Sequence, residues 1–272
     1  MAKLMEVAAG VLALATMDAT VAVAVAASPS FTAEAVQLSP GRGSESGRVY
    51  ISEQGMRFEF QRQGHPVVQI IQPRQGLMRI LMLQEKTYME FRGAAMPDAL
   101  AEKPTTPCPS EREVHCERTG NDTLNGAPVE LWRITSLIQG KGQPDPGPIQ
   151  VWWDPRNKVV VRQQIPDGSN VTTSLSGHVS YQGRDVEQWV TTYTSANGKS
   201  QSATRLHDPE LNVDVREEMP TGAVRELRNI TLTKMDPAWF VVPADFRKVE
   251  ANGAKPPGSA PSSSDANPQG RR

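Results

Sequence analysis

One stretch of this chain is written twice. Leu124-Asn125-Gly126-Ala127-Pro128-Val129-Glu130-Leu131-Trp132-Arg133-Ile134-Thr135 returns as Tyr181-Gln182-Gly183-Arg184-Asp185-Val186-Glu187-Gln188-Trp189-Val190-Thr191-Thr192. The echo runs on downstream. Asp154-Pro155 and Val161-Arg162-Gln163-Gln164-Ile165-Pro166-Asp167-Gly168 are answered by Asp208-Pro209 and Val215-Arg216-Glu217-Glu218-Met219-Pro220-Thr221-Gly222. Trp132 and Trp189 are 57 residues apart, and both Asp154/Asp208 and Arg162/Arg216 are 54 apart. Such a period reads as one antiparallel meander used twice, over 124–175 and 181–232: a Gly turn, a strand bearing Val-Glu-x-Trp, a second strand, an Asp-Pro turn, a strand ending in Val-Arg, and a Pro-x-Gly turn into a return strand. A unit of this kind is scaffold, with no nucleophile-base pair and no metal-ligand spacing in it.

Ahead of the repeat, Phe31-Thr32-Ala33-Glu34-Ala35-Val36-Gln37-Leu38 alternates weakly and reads either as a first edge strand or as a short amphipathic helix. Arg48 to Ser52 and Met56 to Gln61 then alternate at period two across Gln54-Gly55, with Met56, Phe58 and Phe60 on one face and Arg57, Glu59 and Gln61 on the other. That is the pattern of a half-buried hairpin. Pro66 to Gln72 and Leu77 to Leu83 differ, because they are apolar on both faces and so must be covered on both: by a helix or lid on one side, and by a second layer or a ligand on the other. Met78, Ile80 and Met82 share a face and make a soft wall, which is either core filling or the floor of a pocket for a flexible apolar ligand. Trp152 and Trp153 are neighbours on one strand and point to opposite faces, one into the core and the other toward a second layer or groove. The candidate ligand-binding residues are therefore Phe58, Met78, Ile80, Met82 and Trp153. Residues 93–127 read as an irregular excursion over the sheet, with a helical turn at 97–101.

Residues 1–27 carry one Lys, an Ala/Val/Leu run and small residues at A-x-A spacing, the pattern of a secretory signal peptide, although Glu6 and Asp18 interrupt it. Export sets the expectation for the two cysteines. Cys108 and Cys116 read as a disulfide closing a small loop; the competing reading is a metal site of Cys108, His115 and Cys116, which lacks a fourth ligand. From 250 to 272 the chain is rich in Pro, Ser, Gly, Asn and Ala without apolar anchors, so a disordered tail is expected. With 29 Lys+Arg against 30 Asp+Glu, there is no whole-molecule electrostatic footprint for nucleic acid.

No Gly-rich phosphate loop, nucleophile elbow or HExxH sequence is present, so no enzyme and no cofactor is expected. Glu130 and Glu187 occupy equivalent repeat positions and read as strand-surface residues facing arginines such as Arg162 and Arg216, not as an acid/base couple. His65, His115, His178 and His207 are scattered and read as surface or turn residues.

Several stretches together carry a family resemblance. Gly47 to Ser52 with Gly55 to Glu59, Lys86-Thr87-Tyr88-Met89, Asn125 to Trp132, Glu226 to Ile230 and Pro237 to Phe246 resemble a family of exported bacterial proteins of unknown function, itself similar to the periplasmic lipoprotein carriers and sorting factors of the LolA/LolB type. The resemblance spans roughly 31–249. It implies an incomplete antiparallel β-barrel whose concave side holds an acyl chain or similar apolar ligand. The chain departs from the carriers in having little helix for a covering lid, an extra repeated meander and the Cys-bounded excursion. The fold expected is mostly β: a signal peptide (1–27), one curved antiparallel half-barrel of about a dozen strands with few short helices (28–249), and the tail (250–272). The function expected is a periplasmic, non-enzymatic binder of a lipid or other apolar group; the alternative is a cell-envelope interaction module contacting a protein partner.

Overall fold

The computed structural model describes residues 29–41, 43–92, 104–109, 114–137 and 147–250. The expected leader, the tail from 251 on and the helical turn at 97–101 lie outside these residues.

Among the described residues sixteen strands form: β1 (Phe31–Ser39), β2 (Gly43–Ser52), β3 (Gly55–Arg62), β4 (His65–Gln72), β5 (Leu77–Met82), β6 (Thr87–Arg92), β7 (Val114–Leu124), β8 (Ala127–Ser136), β9 (Ile149–Asp154), β10 (Val159–Gln164), β11 (Asn170–Tyr181), β12 (Arg184–Thr194), β13 (Ser200–Asp208), β14 (Val213–Glu218), β15 (Val224–Leu232) and β16 (Arg247–Lys248). All belong to one unclosed sheet in the order β16-β6-β5-β4-β3-β2-β1-β15-β14-β13-β12-β11-β10-β9-β8-β7. Every pairing is antiparallel except the two-residue bridge of β16 to β6. The expected class therefore stands, with more strands than the dozen expected. Two readings are corrected. Phe31–Ser39 is a strand at the middle of the sheet and not at an edge, because its second partner, β15, arrives from the far end of the chain. Within the 93–127 excursion, Val114–Leu124 is an edge strand paired to β8.

Local chemistry sets the turns. Asn125-Gly126 and Gln182-Gly183 take positive φ at both central positions, 52° and 78° in the first and 50° and 77° in the second, the type I′ geometry of a two-residue hairpin. Asp154 accepts the backbone N–H groups of Arg156 and Asn157 at 2.9 and 3.2 Å, and Asp208 accepts those of Glu210 and Leu211, both at 3.0 Å. Ile165 and Met219 close their hairpins with the same pair of backbone bonds, to Ser169 with Gly168 and to Ala223 with Gly222. The repeated stretches thus make the same turns by the same contacts.

The sheet cannot be flat. β6 and β7 are fourteen positions apart in its order, about 67 Å at ~4.8 Å per strand. The chain leaves β6 at Arg92, and sixteen residues later (108 − 92 = 16) Cys108 is bonded to Cys116 on β7 with Cα atoms 5.8 Å apart. Sixteen residues reach at most about 58 Å, so the two limbs bend toward each other. The packing agrees: Phe31, Ala33, Val49 and Ile51 share one buried cluster with Val186, Leu211, Val213 and Val215 from the opposite limb.

Cross-strand partners share a face, and the register of β1 to β6 lays three rows on the inner side. They are Phe31, Ile51, Met56, Ile71, Met78, Phe91; then Ala33, Val49, Phe58, Gln69, Ile80, Met89; then Ala35, Gly47, Phe60, Val67, Met82, Thr87. Of these eighteen positions only Gln69 and Thr87 are polar. The outer side of β4 and β5 is covered by the segment after β15: Met235, Phe240, Val242 and Phe246 pack on Val68, Ile70 and Leu81. That segment turns at Pro237–Phe240, where Asp236 accepts from the Ala238 N–H at 2.9 Å, and it is tied down by Arg57 donating to the Trp239 carbonyl at 3.0 Å. The outer cover that two-sided apolar strands demanded is this strap with its single short 3-10 turn, not an α-helix.

Candidate ligand-binding face

Four of the five expected site residues come together on the inner rows. Phe58 and Ile80 flank Gln69 in the middle row, Met78 lies in the row above and Met82 in the row below. Met78 and Ile80 are buried, at 3% and 5% exposure, while Phe58 and Met82 are half-buried. Trp153 does not join them. It sits on β9, two strands in from the β7 edge, opposite Glu130 and Val160, and is buried with no hydrogen-bond partner for its indole N–H among the described residues. Its neighbour Trp152 is buried as well, donating to Asp122 at 3.0 Å under the Arg162 guanidinium at 4.7 Å. Both indoles are buried, so both faces of this strand are covered, in line with the second layer that the sequence allowed for one of them.

The lower end of the wall is shaped by Gly47. The Phe58 ring stacks on Phe60 at 5.0 Å and lies over Gly47, where a Cβ would come within 2.6 Å of its Cε2. At this end a groove of about 430 Å³ opens mainly on the outer side of the sheet, since Ser46, Arg48, Glu59, Gln61, Pro66, Val68 and Leu83 belong to the outward rows and only Gly47, Phe60 and Val67 to the lowest inner row. A second groove of about 440 Å³ shares Ser46, Gly47 and Arg48 and continues over Thr32, Glu34, Asn229 and Thr231. Both are of small-ligand size. Met78, Ile80 and Met82 are in the wall of neither.

The titratable groups are engaged in scaffold contacts. Glu130 accepts the Trp132 indole N–H at 3.0 Å and pairs with Arg118 at 3.2 Å; Glu187 accepts that of Trp189 at 2.8 Å. The expected arginine partners are elsewhere, since Arg162 lies on Trp152 and Arg216 binds Glu226. Glu226 is buried and takes the Tyr181 hydroxyl at 2.8 Å, Arg216 at 2.7 Å and Arg228 at 2.6 Å. His207 is no surface residue but is half-buried on β13 with Nδ1 2.9 Å from Asp214. Cys108 and Cys116 are bonded to each other, which removes the reading that gave them to a metal. Among the described residues no group of three His, Cys, Asp or Glu is placed to hold a metal ion.

What sequence reasoning missed on this face is Gln69, with Gly47, Phe60 and Val67. The signal was present as period-two alternation within each strand, but only the register between strands shows that these positions adjoin Met82 and Ile80.

The fold and this face define a class: an open antiparallel meander, curled on itself, whose inner side along one limb is an apolar wall. Residues 35–142 match a domain of unknown function (DUF4412). Similar solved structures include a LolA superfamily protein from Nitrosomonas europaea (9% identity, covering 79% of this chain and 90% of that one, TM-score 0.33), an uncharacterized conserved protein from Thermus thermophilus (11%, 82% and 91%, 0.29) and a DUF1329 family protein from Desulfovibrio piger (11%, 79% and 90%, 0.29). The matched domain and the LolA superfamily protein are the kinds of protein the sequence resembles. Overlaps this loose transfer neither residues nor ligands. No curated protein matches the sequence.

Proposed function

We propose that this chain is a periplasmic, non-enzymatic binding protein for a lipid or other apolar ligand, which it shelters against the inner face of β3 to β6. The observation that carries the reading is the wall itself: three rows across six strands with two polar positions in eighteen. Phe31, Ala33, Val49 and Ile51 are already packed against the other limb. Ala35, Met56 and Phe58 pack against that cluster as well, so the half-buried Phe60, Met82, Met89 and Phe91 are those left to receive a guest. Each methylene an acyl chain buries there contributes about 0.8 kcal/mol, and methionines adapt to its shape. Native mass spectrometry of the purified chain is expected to find a co-purifying lipid. Met82→Asp, which puts a charge on the wall, should abolish its retention and leave the fold intact. A ligand-free protein that takes up no lipid overturns the reading.

A second reading, an envelope interaction module, is favoured by the outer edge of β7, an eleven-residue strand whose far side pairs with no strand among the described residues. Pull-down from envelope extracts by chains with and without 250–272 separates a partner held by the tail from one held by this edge.

A further inference from the structure

Arg48 stands between two carboxylates and pairs with neither. Its cross-strand neighbours on the outer side of the sheet are Glu34 of β1 and Glu59 of β3, and opposite charges so placed ordinarily join. Both acids are held by other donors. The register of β1 on β15 shifts between Thr32 and Glu34, and Asn229, in the bulge this makes, takes a φ of 54° and gives its side-chain N–H to Glu34 at 3.3 Å. Glu59 accepts from Arg57 at 2.7 Å and from the Tyr50 hydroxyl at 3.2 Å. The Arg48 guanidinium is left exposed, with no hydrogen bond or ion pair among the described residues.

An unpaired surface arginine means little by itself, but this one lies where the two outer grooves meet and lines both. On one side are the hydroxyls of Thr32, Ser46 and Thr231, with Glu34 and Asn229. On the other, Pro66, Val68 and Leu83 give an apolar floor with Gln61 beside it. Bulges re-aim side chains next to functional sites, and the effect of this one is to keep Glu34 off Arg48.

We propose that the joined grooves bind an acidic saccharide, its carboxylate on Arg48, its ring hydroxyls among Thr32, Glu34, Ser46 and Thr231, and the C–H face of the adjoining ring on Pro66 and Leu83. The planar fork of a guanidinium matches a carboxylate with two parallel hydrogen bonds. Glu34, an acceptor only, takes hydroxyl donors. The flanking acids also choose among anions: one negative charge per ring with hydroxyls around it suits an arginine set between carboxylates, whereas a phosphate dianion, bearing acceptors alone, is repelled by Glu34 and Glu59. This site is on the outer side of the sheet and owes nothing to the inner wall, so each stands or falls without the other.

The test uses the ¹⁵N-labelled full chain and two probes, trigalacturonate and its methyl-esterified form, which keeps the hydroxyls and loses the charge. Trigalacturonate is expected to shift the backbone amide signals of Thr32, Ser46, Arg48 and Thr231 saturably, and the ester to bind about tenfold more weakly or worse, the worth of a charge-assisted hydrogen bond. Arg48→Gln should bring the acid down to the affinity of the ester at an unchanged melting temperature. Asn229→Gly keeps the backbone conformation and releases Glu34 onto Arg48, so it should weaken the acid about as much; adding Glu34→Gln should restore binding, a rescue that a merely structural Asn229 would not show. No saturable shifts with trigalacturonate, equal affinity for acid and ester, or acid binding that Arg48→Gln leaves intact overturns the site. Inorganic phosphate that displaces trigalacturonate at equal concentration overturns the saccharide as its ligand. None of these results touches the lipid reading of the inner wall, which mass spectrometry decides.

Discussion

The Tyr181 hydroxyl donates to the Glu226 carboxylate at 2.8 Å although their strands, β11 and β15, are four positions apart in the sheet. In a flat sheet that separation is about 19 Å, so this hydrogen bond is a direct measure of the curl. Burial of Glu226 opposes its charge, but the Tyr181 hydroxyl and the guanidiniums of Arg228 and Arg216 outweigh it and hold the carboxyl below the ordinary glutamate value.

A pH dependence follows from the direction of that shift. A carboxyl whose folded pKa lies below its unfolded value stabilises the fold fully above the unfolded value, and loses that contribution as the pH falls through the folded one. Glu226→Gln should therefore cost about 3 kcal/mol near neutrality, because two guanidiniums lose their buried partner. The gap between parent and variant should narrow below the ordinary value of 4.5. Urea unfolding at a series of pH values checks this; a gap that stays constant down to about pH 3, below the ordinary carboxyl range, would show that the charge of Glu226 does not matter.

Gly47 is where the Phe58 ring needs room. A Cβ there would meet the Glu59 carbonyl oxygen at 2.5 Å as well as the ring, so Gly47→Ala is expected to cost about 1–3 kcal/mol by overpacking. Gly120, on β7, is the control, since its Cβ would meet only Leu131 Cδ1 at 4.0 Å, and Gly120→Ala should stay within about 0.5 kcal/mol. Denaturant midpoints of the two variants give the comparison.

The duplicated Asp turns should not be equally sensitive. Asp208 is fully buried and, besides its two backbone N–H groups, holds Arg184. Asp154 holds its two N–H groups and the Asn157 side chain at 2.8 Å. Asp208→Ala leaves a guanidinium without its buried partner and should cost about 3–5 kcal/mol, against about 1–3 kcal/mol for Asp154→Ala, whose one charged partner, Arg156 at 3.9 Å, is exposed and whose other donors are neutral. Thermal melts that rank them the other way would mean that Arg184 finds another partner, Glu210 being already 2.9 Å away.

The disulfide between Cys108 and Cys116 closes a ring with a sequence separation of 8. Loop entropy values such a ring at about 2.5 kcal/mol. The double variant Cys108→Ser with Cys116→Ser should lose about that much under oxidising conditions, and the difference should vanish when the parent is reduced.

The parts of this protein that its sequence determines by itself are those with local causes. Asn125-Gly126 and Gln182-Gly183 turn because of their own backbone freedom, Asp154 and Asp208 bond N–H groups two and three residues on, and Met78, Ile80 and Met82 share a face because strands alternate. Cys108 and Cys116 bond across a span short enough to judge from spacing.

Only the tertiary structure decided what depends on strands meeting from far apart in the chain. Alternation says that Gln69 lies on one face of β4, but not that Phe58 and Ile80 stand beside it; that is a matter of register, which a one-residue slip would reverse. Likewise β1 becomes central only because β15 returns to it, and Glu226 gains the Tyr181 hydroxyl, beside Arg216 and Arg228, only because the curl carries it over. Adjacency alone puts Trp153 and Trp152 on opposite faces, one toward the core and the other toward a second layer or a groove; that both are enclosed is decided only in the folded sheet, because curvature and not sequence order fixes which faces are covered.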